Sequence, residues 1–351
     1  MIVLPLFKKI EKPLIVSNKY GIVLSNLLDD DKCFIYKAIK RELEFCDREY
    51  NFKGISNLIN SHYYKDTFIN AKSNNSISLL CDNLVCLYTT NNISSFLKFK
   101  NEFTENPTCE ISNEEKFLSL FNFLDFNTYK LENKKTETLE NILISSHKDR
   151  IITSDLLLNM EWKIDSSLVI EKYSPHSFKN HFVEYNYKIN ALLNFGINID
   201  TYIKNENDFF IIDYIMDIIH DIEYSNPSIV MLFSLFETIL ASTNYKWLRK
   251  ELIKKVPQFV PDNIEDKELW IKTIYNIRCK LAHGDYFAFR KEIELYNRNF
   301  LKNFNFDYYE FSHITWIRNA VFSDLEVVIS NVIWMMLNVP ALIKKIKAEI
   351  V

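Results

Sequence analysis

Residues 228–242, "SIVMLFSLFETILAS", carry a single charge, Glu237, and apolar side chains on nearly every side of a helical wheel. A helix that is apolar all round has no face to give to water, so it must be enclosed, and other helices have to wrap around it. Asn226-Pro227 supplies a cap and a first-turn proline, which sets the helix at 227–243. A lone carboxylate in such surroundings has to be compensated, so Glu237 reads as a supporting residue that needs a partner, an arginine for instance, more than as a catalytic acid.

The flanking segments supply the wrapping. "DFFIIDYIMDIIHDIEYS" (208–225) puts Phe209, Ile212, Ile215, Met216 and Ile219 on one helix face and Asp213, Asp217 and Asp221 on another. Carboxylates stacked along one helix in this way form a solvated surface more often than a metal site. "NYKWLRKELIKKV" (244–256) reads as a further helix, broken by Pro257 and Pro261. "DKELWIKTIYNIRCKLAH" (266–283) follows, with a core stripe of Leu269, Trp270, Thr273, Ile277 and Leu281. A long helix over 310–338, with Ile314, Ile317, Val321, Leu325, Val328, Val332 and Met335 at apolar positions, stops before Pro340. Helices joined by modest loops make an antiparallel bundle.

The N-terminal part has a different texture. Short alternating runs in 12–26 and 76–90 read as strands, with a helix expected over 31–50. From about 114 helical spacing takes over, through 113–124, 135–147 and 177–195, with 127–138 a candidate linker. The chain is therefore expected to be α+β: a mixed domain over 1–125, a helical connector over 126–204, and a helix bundle over 205–351.

Several function classes are excluded early. Only Gly21, Gly54, Gly196 and Gly284 occur in 351 residues, so no glycine-rich phosphate loop can form, and no cofactor is expected. The six cysteines include no CxxC pair and no histidine at zinc-ligand spacing, which fits reduced thiols; Cys81 and Cys86 read as core residues of a strand region. No metal site is expected. The start "MIVLPLFKK" lacks the order of a secretory signal and neither apolar stretch, 228–242 or 327–339, reaches the length of an uncharged membrane span, so the expectation is a cytoplasmic protein with no membrane partner. Net charge is −4, yet residues 244–302 hold thirteen Lys/Arg and eight Asp/Glu, a local +5 against −9 elsewhere.

Inside that basic window lies "NIRCKLAHGD" (276–285), which gathers one of eight arginines, one of seven histidines and one of four glycines. The spacing of Arg278 and His283 arises often by chance; its context is more selective. Gly284 stands where a helix needs a left-handed residue to stop, which places His283 on the last turn beside unsatisfied carbonyls. Positions five apart on a regular helix differ by about 140° in direction, so the two converge only if the break at Gly284 reorients the histidine.

The enclosed "FSLFETIL" helix, a Trp-Leu-Arg turn, a proline-broken connector and then "IYNIRCKLAHG" resemble the HEPN superfamily, in its Apea-like branch. The resemblance covers roughly 205–340 and implies a HEPN-like bundle. That family's motif is an arginine, four to six residues, then a histidine, commonly followed by glycine; Arg278 and His283 match it, with Cys279 where many members carry a polar residue. The resemblance implies a metal-independent endoribonuclease and a homodimer whose two motifs face each other, the arrangement that brings two histidines and two arginines into one cleft. RNA carries its own nucleophile, the 2′-OH, so a base, an acid and a cation suffice for cleavage to a 2′,3′-cyclic phosphate and a 5′-hydroxyl. His283 would serve as base or acid and Arg278 as phosphate clamp. By family analogy the chain would be an anti-phage defence or toxin effector whose N-terminal 200 residues would sense a phage-derived or host trigger or restrain the bundle.

Asn276 and Lys280 flank the motif and could reach a phosphate, although at helix surfaces such residues more often have no role in binding. Tyr286, Phe287, Arg290, Lys291, Arg298 and Lys302 follow it, fitting either an RNA path or a solvated helix face. A non-catalytic HEPN module that dimerises and binds RNA, a nucleotide or a protein is the alternative.

Overall fold

A computed structural model describes residues 2–7, 10–29, 32, 84–90, 93, 113–131, 144–147, 150–151, 175–222, 225–242, 247–302 and 310–349. The chain divides into two units, Met1–Phe117 with Thr138–Asp200, and Leu118–Glu137 with Thr201–Val351. The helix expected over 31–50 lies outside the described residues, as does most of the 127–138 linker.

The first unit holds an antiparallel sheet of six strands: β1 (Ile2–Phe7), β2 (Leu14–Ser17), β3 (Ile22–Asn26), β4 (Leu84–Thr89), β5 (Ile144–His147) and β6 (Arg150–Ile151). Their spatial order is β2-β3-β4-β1-β5-β6. Ile22, Val23 and Leu24 of β3 and Val85, Cys86 and Leu87 of β4 are all fully buried, so these strands are covered on both faces and read as continuous apolar runs instead of alternating ones. Cys86 is thus the core residue the sequence suggests.

Parts of two helices belong to this unit, residues 113–117 of α1 (Asn113–Leu131) and residues 175–200 of α2 (Pro175–Tyr202). Phe117 of α1 packs edge-on against Phe195 of α2, ring centres 5.0 Å apart. Asp200 of α2 accepts hydrogen bonds from the Ser17 hydroxyl (2.6 Å) and the Asn18 amide (2.7 Å), fixing the β2–β3 turn. Gly196 makes the close approach possible, since a Cβ there would fall 1.8 Å from the Val16 carbonyl oxygen. The helical reading of 135–147 fails at its end. Residues 144–147 form β5, with Ser145 opposite Ile2 and Ile144 opposite Val3. A short apolar run is ambiguous between the two periods, and main-chain pairing with the edge of β1 decides it.

The second unit is helical: α3 (Glu206–Asp221), α4 (Asn226–Leu240), α5 (Leu248–Lys255), a 3-10 turn (Val256–Phe259), α6 (Lys267–Ala282), α7 (Tyr286–Phe300), α8 (Glu310–Asn338) and α9 (Pro340–Ala348). The enclosed helix is α4. It packs against α3, α5, α6, α8 and α9, and Ile229, Leu232, Phe233, Leu235, Phe236 and Leu240 are fully buried. Its cap is Ser225, one residue before the expected Asn226; the Ser225 hydroxyl accepts from the Ser228 amide, while Pro227 keeps its first-turn place. On α3, Ile212, Ile215, Met216 and Ile219 are buried as expected, with Ile218 added; Asp213 and Asp217 are half-buried and only Asp221 is fully exposed, so the aspartate stripe is not simply a solvated surface. On α6 the stripe is Trp270, Ile271, Thr273, Ile274 and Ile277, because α4 and α7 flank this helix and widen its buried face beyond one row.

Helix α8 keeps the bounds set by its sequence. Ile317, Val321, Leu325, Val328 and Val332 face the core, and Met336 takes the place expected of Met335. By helix length and composition, His313–Asn338 would suffice to cross a membrane, a correction to the shorter stretch seen in the sequence; 61% of its most apolar window is buried inside the protein, as in a core helix. The Tyr296 hydroxyl of α7 donates to Asp324 of α8. Burial, with that carboxylate beside it, pushes the Tyr296 pKa well up, so this ring stays a neutral donor.

A pair of lysines closes the bundle. The fully buried Lys255 ammonium donates to the Leu240 carbonyl at the end of α4 (3.2 Å), the Lys347 carbonyl at the end of α9 (3.1 Å) and the Glu251 carboxylate (3.1 Å). Lys347 in turn donates to the Thr238 carbonyl (3.0 Å). Burial and the nearby Lys255 charge both lower the Lys347 pKa. Cations on the last carbonyls of two helices satisfy acceptors that would otherwise be orphaned in the core. Burial raises the Glu251 pKa, but hydrogen bonds from Ser242 and Lys255 outweigh this and hold it below the usual range. Lys255→Met, which keeps the length and removes the charge, is expected to lower unfolding stability by about 3–5 kcal/mol. A urea titration followed by circular dichroism reads it; a loss below about 1 kcal/mol would show that the clamp is dispensable.

Candidate functional site

Asp266 caps the N-terminus of α6 by accepting from the Leu269 amide at 2.8 Å. At the other end the chain makes a complete Schellman turn. The Asp285 amide donates to the Lys280 carbonyl (3.0 Å), the Gly284 amide to Leu281 (3.1 Å) and the His283 amide to Cys279 (3.1 Å). Gly284 has φ +68°, with nothing within 4 Å of the position a Cβ would take, so glycine is needed there for its backbone conformation and not for space. Asp285 is at once the last residue of the turn and the cap of α7, accepting from the Ala288 amide at 3.1 Å. The stop signal read from Gly284 is therefore present, and α6 and α7 form a tight antiparallel hairpin.

His283 is the C-cap of α6 and is exposed. Its φ and ψ, −95° and 0°, leave it on the right-handed course of the helix, and the left-handed break comes after it. The break consequently does not swing the imidazole toward Arg278, and the divergence of about 140° persists. Among the described residues no hydrogen bond or ion pair joins the two side chains within one chain.

Arg278 is directed to α4 instead. Its Nη2 lies 2.8 Å from Glu237 Oε1, the partner that the apolar helix demands, and the guanidinium carbon sits 5.9 Å from the Phe233 ring centre. The ion contact lacks hydrogen-bond alignment: both Glu237 Oε1 and Arg278 Nε are buried without a hydrogen-bond partner. Burial raises the Glu237 pKa and Arg278 lowers it, with burial the larger. About a fifth of the Glu237 side chain and a quarter of Arg278 remain exposed, at 21% and 24%.

Other groups complete the cluster. The Tyr275 ring meets Phe233 edge-on at 5.7 Å and lies under the Arg249 guanidinium at 5.5 Å. Burial pushes the Tyr275 pKa up, Cys279 adds to this by charge and hydrogen bond, and Arg278 opposes it. Asn276 accepts from Arg249 and donates to Glu292, both at 3.3 Å, so it bridges α5, α6 and α7. Lys280 pairs with Asp285 at 3.6 Å across the turn. Arg290 and Lys291 are exposed on α7. The fold thus pairs Arg278 with Glu237 of α4, holds Asn276 on another side of α6 between Arg249 and Glu292, and leaves His283, Arg290 and Lys291 at the surface. Phe233, Arg249 and Tyr275 were not singled out from the sequence. Phe233 and Glu237 share a face of α4 at i, i+4, which is one available signal; Arg249 enters only as the last residue of the Trp-Leu-Arg turn, 29 residues before Arg278, and nothing in that spacing points to Tyr275 or Asn276. Among the described residues no three of His, Cys, Asp and Glu gather as metal ligands would.

Since Glu237 has a raised pKa when folded, it contributes stability at low pH that is lost as pH rises through that value. Glu237→Gln does not titrate, so its stability relative to the native chain is expected to improve between pH 4 and pH 7 in urea titrations; a relative loss over that range would mean that the Arg278 attraction exceeds the cost of burial. The chain matches no protein-family model, no curated protein and no solved structure.

Proposed function

We propose that the second unit is a HEPN-type bundle and the protein a metal-independent endoribonuclease acting as a homodimer in the cytoplasm. The observation that supports this most is the placement of the motif: an exposed His283 on a glycine-stopped helix end, with Arg278 one and a half turns upstream and tied to the enclosed helix by Glu237. His283, exposed on the last turn, is open to a substrate and to a facing copy. Arg278, planar and permanently charged, suits the negative charge that builds on a phosphate as the 2′-OH attacks. The geometry within one chain separates the two groups, so the reading requires a second chain to complete the cleft. One motif histidine takes the 2′-OH proton and the other gives a proton to the leaving 5′-oxygen, ending in a 2′,3′-cyclic phosphate. A role in anti-phage defence, with the first unit answering a phage-derived or host trigger, is the extension that family analogy supplies.

One feature favours a second reading, a binding module without catalysis: Arg278 is already engaged by Glu237 and Phe233, as a purely structural arginine would be. Incubation of the full chain with single-stranded RNA in excess EDTA separates the two. Cleavage yielding cyclic-phosphate ends, lost by at least about a hundredfold in both Arg278→Ala and His283→Ala, is expected of the enzyme. Cleavage that disappears on chelation, or that both variants retain, would remove the proposal.

A further inference from the structure

Tyr286 and Phe287 stand at the start of α7, three and four residues after His283, and are 59% and 85% exposed. Phe287 has the highest exposure among the large hydrophobic side chains of the described residues. An isolated apolar side chain at a surface needs no explanation, but its neighbours here are not random. On α7, Arg290, Lys291 and Arg298 lie three, four and eleven positions beyond Phe287, which returns each of them to its side of the helix. All three are exposed. The opposite side, Phe289, Ile293, Tyr296 and Asn297, is buried in the bundle. Glu294 shares the outer face, with its carboxylate 3.3 Å from His313 of α8, and Asp285 beside Tyr286 is paired with Lys280. The face therefore presents two aromatic rings followed by three cations over about 16 Å.

We infer that this face of α7 holds the unpaired strand of the substrate beside His283, bases stacking on Phe287 and Tyr286 and phosphates following Arg290, Lys291 and Arg298. The inference rests on the ribonuclease reading above and narrows its substrate class to single-stranded RNA. Charge complementarity alone would accept any nucleic acid, since phosphates are common to all. The protruding rings discriminate. In an A-form duplex the base faces are stacked on one another and offer nothing to an aromatic side chain, whereas an unpaired strand can splay its bases onto one.

The test measures binding in full-length His283→Ala protein, so that cleavage does not enter, by fluorescence anisotropy of a labelled oligouridylate of about 12 nucleotides, free or paired with oligoadenylate. Tighter binding of the single strand is expected, weakened about tenfold by Phe287→Ala and restored by Phe287→Trp. Arg290→Ser with Lys291→Ser should flatten the slope of log affinity against log salt by about 1.4. Equal binding of duplex and single strand, or no loss in Phe287→Ala, overturns the inference. So does a drop in sedimenting mass for Phe287→Ala, which would assign the face to a second copy of the chain. If the native chain cleaves nothing yet these affinities hold, the ribonuclease reading fails and the binding face stands; if it cleaves while Phe287→Ala binds as before, the reverse follows.

Discussion

A carboxylate on the most enclosed helix of the bundle has to find a positive partner, and the rest of the site follows from which one it finds. Glu237 meets Arg278 at 2.8 Å, which ties α6 to α4 at a fixed rotation. That rotation buries Trp270, Ile274 and Ile277 and brings Tyr275 edge-on to Phe233. It also commits His283, five residues on, to the other side of the helix and to solvent. The core requirement and the layout of the motif are one constraint. Because the pair is poorly aligned and half-enclosed, it sets a direction more than it adds stability, as is common for buried ion pairs.

The helix ends are fixed by a second kind of interaction, backbone carbonyls satisfied from outside their own helices. Lys255 and Lys347 do this for α4 and α9, and the Schellman turn does it for α6 through Gly284 and Asp285. The two solutions serve different ends. The lysines seal a buried junction, while the glycine turn keeps its helix end open to water and reverses the chain within a few residues, presenting His283, Tyr286 and Phe287 together at one tip.

Much of this architecture was legible because it depends on local spacing. The limits of α8 follow from an apolar period ended by Pro340, and the end of α6 from a glycine whose positive φ only the backbone explains. The all-round apolar character of 228–242 gave the centre of the bundle and the need for a partner at Glu237. What was not legible depends on groups distant in sequence. Lys255 looks like one more surface lysine in "KELIKKV", and its acceptors are carbonyls 15 and 92 residues away. Asn276 looked free to reach a phosphate but is held by Arg249 and Glu292. Residues 144–147 look helical until β1 offers an edge. The turn toward Arg278 expected of His283 does not occur, since the break follows the histidine.

The proposed cleft has to be completed by two chains, because one chain holds Arg278 and His283 apart. Subunit mixing tests it directly: native chains are mixed with a growing excess of inactive His283→Ala chains at constant total protein, allowed to exchange, and assayed for RNA cleavage in EDTA. Because one cleft uses the histidines of both chains, activity should fall with the square of the native fraction. A linear fall in mixtures that sediment as exchanged dimers would contradict a shared site.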